Sequence, residues 1–211
     1  GVELKDRVSA VHVFDLDSAE TGVFSRDDCE FGYRDSIFKQ SGQGRYVITA
    51  VDFALPVKWQ AVLGYGDVAK CVGELGAVTP MTVMKAVCSI RTQKLPDPVV
   101  LGNSGSFFKN PVVPASQYLL LKERFVDLVA YPQMVNGQAG GQVKLAAGWL
   151  IERAGWKGFR DGDAGVHRLQ ALVLVNYGAA TGAQLLALAR RIQADIAQRF
   201  AVELEIEPNV L

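Results

Sequence analysis

Gly102-Asn103-Ser104-Gly105-Ser106-Phe107-Phe108-Lys109-Asn110-Pro111 is the stretch around which the rest of the chain is most readily understood. Its glycines lack Cβ and admit positive φ, so the backbone can turn tightly or come close to a ligand. Ser104 and Ser106 supply hydroxyls, Lys109 a charge, and Asn110 both a donor and an acceptor. Phe107 and Phe108 are expected to anchor the segment in a core. A glycine pair alone is ordinarily a turn leading into a strand. The density of polar groups around this one makes it a candidate site.

On the N-terminal side, Leu95-Pro96-Asp97-Pro98 reads as a stiff connector, dividing the chain into residues 1–95 and 96–211. Before it, Thr79 as N-cap and Pro80 at the first helical position open a helix. Val83, Ala86, Val87 and Ile90 form its buried face, and Arg91 and Lys94 its cationic last turn. Val8 to Leu16 and Arg45 to Pro56 are rich in β-branched residues and read as strands. Asp15 to Gly22 is turn-like, and Ser25 is expected to cap a short helix reaching Cys29.

On the C-terminal side, residues 114–125 read as an amphipathic helix with Tyr118, Leu119, Leu121 and Phe125 facing a core. Residues 131–142 have no periodicity and three glycines, the signature of a mobile loop or lid. Helix is expected again over 144–154, ended by Gly155. Leu172 to Val175 reads as a buried strand. Thr181 caps the longest helix, roughly 182–200, with Leu185, Leu188, Ala189, Ile192, Ile196 and Phe200 on one face. Val202 to Glu207 alternates strictly and predicts a last strand with Glu203, Glu205 and Glu207 on one side. No repeated βαβ unit and no G-x-G-x-x-G fingerprint occurs, so the expected class is α+β.

Composition bounds the chemistry. With 22 Lys+Arg against 22 Asp+Glu, no net field draws nucleic acid or an anionic membrane, and an anionic ligand needs local groups. Cys29, Cys71 and Cys88 are widely spaced and odd in number, which points to a reducing compartment and a cytoplasmic protein. Two histidines, His12 and His167, are too few for a histidine metal site, so no metal is expected. No apolar run is long enough to span a bilayer. The first residues, Gly1-Val2-Glu3-Leu4, lack Met and start in strand-like sequence, as a piece of a longer polypeptide would.

Several polar residues have two readings. An isolated Arg34 is ordinarily a surface partner of Asp28 or Asp35, but its guanidinium is also suited to a bidentate grip on a carboxylate. Tyr65, between Gly64 and Gly66, is by default a loop anchor. Three alternating glutamates are ordinarily a solvated face, although one of them could be functional where the strand ends.

Four stretches together decide between these readings. Gly32-Tyr33-Arg34-Asp35-Ser36-Ile37-Phe38-Lys39, the Gly102–Pro111 segment, Lys144-Leu145-Ala146-Ala147-Gly148-Trp149-Leu150-Ile151, and Val166-His167-Arg168 with Ala171-Leu172-Val173-Leu174 resemble the UDP-N-acetylenolpyruvoylglucosamine reductases. The resemblance covers essentially the whole chain, in the family's order. It implies a flavoenzyme of peptidoglycan precursor synthesis, in which NADPH reduces FAD and the flavin reduces an enolpyruvyl double bond to give UDP-N-acetylmuramate. It implies that Ser106 is the proton donor, Arg34 the group at the enolpyruvyl carboxylate, and Glu207 the catalytic carboxylate, with Glu205 the alternative. It further implies that Tyr65, Lys94, Asn110, Tyr131, Lys144 and Gln170 line the UDP-sugar site. Residues 1–95 then correspond to the second half of an FAD-binding domain, with Gly1 and Val2 weak cofactor contacts. Residues 96–211 correspond to a mixed α/β substrate-binding domain plus a C-terminal strand. The 211-residue chain alone is expected to hold FAD weakly or not at all, and the whole protein to be monomeric. The alternative from another class is a non-catalytic nucleotide-sugar-binding module.

Overall fold

A computed structural model of the chain describes residues 3–135 and 138–210. The chain divides into two compact units, Gly1–Ile90 and Arg91–Leu211. The described elements are α-helices and antiparallel sheets, an α+β architecture.

In the first unit, β1 (Val8–Asp15) pairs with β2 (Thr21–Ser25) on one side and β3 (Tyr46–Phe53) on the other. Alternation along β1 buries Val11 and Val13, and with Val8 and Cys29 they make a small core. Phe24, Phe38 and Tyr46 pack edge-to-face against one another, with centroids 5.1–6.2 Å apart. Arg45 grips Asp15 through Nε at 3.1 Å and Nη2 at 2.6 Å. The Arg45 hydrogen bonds hold the Asp15 carboxyl down at about 2. A second small core joins α1 (Val68–Leu75) to α2 (Pro80–Lys94) through Val68, Val72 and Ala86. Thr79 and Thr82 cap α2 reciprocally, each backbone N–H donating to the other's hydroxyl at 2.9 and 3.1 Å.

In the second unit, β4 (Gly102–Ser106), β10 (Val173–Asn176), β9 (Ala164–Val166) and β8 (Arg160–Asp161) form one sheet in that order. Another sheet is ordered β5 (Val112–Pro114), β7 (Gln138–Leu145), β6 (Ala130–Val135). Helices α3 (Ala115–Arg124), α4 (Ala147–Arg153) and α5 (Gly182–Phe200) complete it. A full capping box starts α5: Thr181 Oγ1 accepts from Gln184 N–H, and Gln184 Oε1 accepts from Thr181 N–H. Leu188, Ala189, Ile192, Ile196 and Phe200 then face the core. Each buried Leu, Ile or Phe among them contributes about 1.5–3 kcal/mol by leaving water. Phe107 and Phe108 are buried in the same core, as expected.

Five expectations are corrected. Residues 131–142 are not a structureless loop, since most of them lie in β6 and β7. Pro132 is tolerated because β6 is an edge strand, and the glycines hide the pairing from any periodicity test. Helix α4 starts at Ala147, not at 144, because the Leu145 amide is bound to the Pro111 carbonyl at 2.9 Å, at the end of β7. Residues 202–207 bury Val202 and Leu204 as the alternation requires, but form only an isolated bridge between Phe108 and Ile206. Leu119 is exposed. Ser25 caps a turn, not a helix, with its Oγ accepting from Asp28 N–H at 3.2 Å. Strand β2 is too short to carry a periodicity that predicts it, whereas α1, absent from the expected elements, shows helical spacing in Val68, Cys71 and Val72.

Candidate functional site

The Ser106 segment owes its shape to a bulge. Val173 pairs with Ser106 and Val175 with Asn103, so β4 has one residue more than β10 over this interval. Gly105 takes up the extra residue at φ +76°, where a side chain would be strained. Asn103 holds the bulge, its Oδ1 accepting from Gly105 N–H at 3.0 Å while its amide donates to the Leu101 carbonyl at 2.8 Å. Bulges re-aim the next side chain, and the next residue is Ser106, which is exposed. An Asn two residues before a glycine is a turn signal that could have revealed this role in the sequence.

Glu207 reaches the same segment. Its N–H donates to the Phe107 carbonyl at 2.9 Å, and the Lys109 N–H donates to the Glu205 carbonyl at 2.9 Å. Phe107 N–H in turn donates to the Leu172 carbonyl at 2.7 Å, which ties Ser106 to the loop carrying Gln170. The alternative carboxylate, Glu205, forms an ion pair with Lys109, a residue given no role by the sequence.

Asn110 and Gln170 flank the first turn of α4. Asn110 Oδ1 accepts from Ala147 N–H at 2.9 Å, so its carbonyl end is occupied as a helix cap. Gln170 Oε1 lies 3.3 Å from where a Cβ on Gly148 would sit. Tyr131 and Lys144 are direct cross-strand partners on β6 and β7, with Val112 opposite Lys144 on β5. Cross-strand partners share a sheet face. In the second unit, backbone and side-chain bonds through Phe107 and Leu172 link the segments carrying Ser106, Gln170 and Glu207, Asn110 caps α4, and Lys144 and Tyr131 lie on the other sheet. Lys94, at the end of α2, is exposed.

Arg34 and Tyr65 belong to the first unit. Arg34 sits at φ +57° in a tight turn closed by the Gly32–Asp35 bridge, with its guanidinium 5.5 Å from the Tyr33 ring centroid. A non-glycine residue in this region costs of order 1–3 kcal/mol, and such outliers gather at functional sites. Asp28 accepts from Ser25, and Asp35 from Ser36 and Gln40. Tyr65 is exposed. Gly1 and Val2 lie outside the described residues.

His167 is buried, and its Nδ1 has no hydrogen-bond partner among the described residues. Burial, reinforced by Arg168, holds its pKa below the usual histidine value. It sits three residues before Gln170, in the same loop.

A flavin dinucleotide requires backbone donors at its diphosphate and an enclosing apolar wall for its ring. In the described first unit, Gly44, Gly64, Gly66, Gly73 and Gly76 have open space beside them, whereas the space at Gly42 is filled by the Tyr46 ring. The β3 side chains Val47, Ile48 and Phe53 are exposed. Among the described residues no three His, Cys, Asp or Glu side chains gather as a metal site, and no helix is long and apolar enough to cross a membrane.

The second unit is therefore an α+β domain in which a bulged strand, a helix start and a C-terminal segment rich in carboxylates carry the candidate residues. A family model described as UDP-N-acetylenolpyruvoylglucosamine reductase, C-terminal domain, matches residues 97–211, and the chain belongs to that family. It is 56% identical over 212 residues to the UDP-N-acetylenolpyruvoylglucosamine reductase of Pseudomonas syringae pv. tomato, covering 100% of this chain and 61% of that protein. To the protein of the same name from Chromobacterium violaceum it is 53% identical over 214 residues, again 100% and 61%. The chain thus spans about three-fifths of the length of these curated relatives. The crystal structure of the UDP-N-acetylenolpyruvylglucosamine reductase from Thermus caldophilus shares the fold, with a TM-score of 0.56 and 22% identity over 98% of this chain and 53% of that one.

Proposed function

We propose that the whole protein to which this chain contributes reduces the enolpyruvyl group of UDP-N-acetylenolpyruvoylglucosamine to UDP-N-acetylmuramate, with NADPH as reductant and FAD as cofactor, in the cytoplasm. The free cysteines Cys29, Cys71 and Cys88 support a reducing compartment. FAD, when bound, supplies the hydride. The chain alone is flavin-free and inactive on this reading. Residues 1–95 serve the flavin side and residues 96–211 the substrate side.

The observation that carries the proposal is the 2.9 Å bond between Glu207 N–H and the Phe107 carbonyl, which brings the Glu207 backbone to the residue that follows Ser106. Ser106 delivers the proton to the alkene carbon opposite the one that accepts hydride. Serine is a weak acid, so neighbouring positive charge must assist it. Arg34 grips the substrate carboxylate and stabilises the enolate-like charge that develops there. Glu207 orients and recharges the proton donor. Asn110, through the amide group left over from capping, binds the nucleotide diphosphate region with Lys94, Lys144, Gln170, Tyr65 and Tyr131.

The test is simple. The purified whole protein should be yellow with flavin and should consume NADPH catalytically only when the enolpyruvyl UDP-sugar is added. A colourless protein that binds the UDP-sugar and never oxidises NADPH would leave the binding-module reading in its place.

A further inference from the structure

The C-terminal segment poses a register problem. In Val202-Glu203-Leu204-Glu205-Ile206-Glu207, apolar and acidic residues alternate three times. A slip of two residues therefore keeps an apolar residue inward and a glutamate outward at the places of residues 204–207, and would substitute Glu205 for Glu207 beside Phe107. The alternation cannot prevent this, so other contacts must. Two act upstream: Gln117 Nε2 donates to the Ala201 carbonyl at 2.7 Å, and Gln193 Nε2 donates to the Leu204 carbonyl at 2.6 Å. The third is Lys109, which engages Glu205 twice, by backbone N–H to its carbonyl and by ammonium to its carboxylate. The Lys109 side chain is only 18% exposed, so the ammonium is confined near this partner, whereas Glu205 is 69% exposed.

We propose that Lys109 is a positioning residue: it clamps Glu205 at both backbone and side chain, and so delivers Glu207 to the Ser106 strand. This deepens the reductase reading and rests on it. It also separates the two candidate carboxylates. Glu205 is the strut and Glu207 the reacting group. The ion pair is partly exposed and contributes little to global stability. Its value is positional, since a displacement of about 1 Å at a reacting group can cost about 10²-fold in rate.

Two measurements test this in the whole flavoprotein. The first is rapid-mixing kinetics. K109M should slow substrate-dependent flavin reoxidation by about 10²-fold with little change in substrate affinity, while NADPH still reduces the flavin at the original rate. K109R should recover most of the loss. E205Q should resemble K109M, and the double variant should be no worse than either, because both break one contact. Wild-type turnover in K109M overturns the clamp. So does a far greater loss in E205Q than in K109M with E207Q active, which makes Glu205 the reacting carboxylate. The second measurement is hydrogen exchange at the Glu207 amide, which needs no activity. K109M should speed that exchange and K109R should not. Should the wild-type protein prove not to be a reductase, unchanged exchange in K109M would still overturn the clamp, and faster exchange would sustain it.

Discussion

The Glu207 amide donates to the carbonyl of Phe107 at 2.9 Å, one residue beyond Ser106. Only an isolated bridge, not a ladder, accompanies this bond. The carboxylate segment is thus attached to the site at a few points, and such attachments open more easily than core strands. In the native protein, the amides of Lys109 and Glu207 should exchange together, and faster than that of Val173 in β10. Exchange of both at the rate of Val173 would show that the segment is part of the global core.

Asn110 has two roles that substitutions can divide. Its Oδ1 caps α4 through Ala147 N–H, and its amide is the part proposed to meet the nucleotide. Asn110→Ala should lower stability by about 1 kcal/mol in urea denaturation, as loss of a cap does. Asn110→Asp keeps the acceptor and should restore stability while still weakening UDP-sugar binding by calorimetry. Full recovery of binding in the Asp variant would confine Asn110 to capping.

His167 should make the second unit acid-sensitive. Its folded pKa is depressed, with burial the chief cause, so the folded state favours neutral imidazole. The unfolded chain titrates at about 6.5. The histidine's contribution is therefore complete above that value, falls as pH drops from there to the folded pKa, and then levels off. Thermal unfolding between pH 7 and 5 should show this loss in the wild type and less of it in His167→Phe. Equal pH slopes would mean that the imidazole is neutral by coincidence and titrates without cost.

Much of this fold is legible in the sequence because its signals are local. Thr181 with Gln184 writes a capping box, Thr79-Pro80 a helix start, and the spacing from Leu185 to Phe200 a buried face. What is not legible is set by partners distant in sequence. The hairpin of β6 and β7 is held by backbone pairing across Pro132 and glycines, which no period records. The late start of α4 depends on Pro111 and Asn110, some 35 residues earlier. The alternation of 202–207 predicts the burial of Val202 and Leu204 correctly, but strand character requires a neighbour that offers a full ladder. Ser106 and Glu207 are named by resemblance alone; the bulge at Gly105 and the Lys109–Glu205 pair become visible only in three dimensions.

Gly105 gives a direct test of the bulge. At φ +76° an alanine is strained, and Gly105→Ala should cost about 1–2 kcal/mol of stability despite open space for the methyl group. Turnover should fall by more than this destabilisation explains, since the bulge aims Ser106. A variant with normal turnover would show that the aim of Ser106 does not depend on the bulge.

The most direct measurement follows flavin absorbance in the whole protein carrying Ser106→Ala, with the two half-reactions observed separately. NADPH should reduce the flavin at the wild-type rate, and reoxidation by the enolpyruvyl UDP-sugar should slow by 10²-fold or more, within the roughly 10²–10⁴-fold range of general acid catalysis. Equal slowing of both half-reactions, or of neither, would contradict the assignment of Ser106 as proton donor.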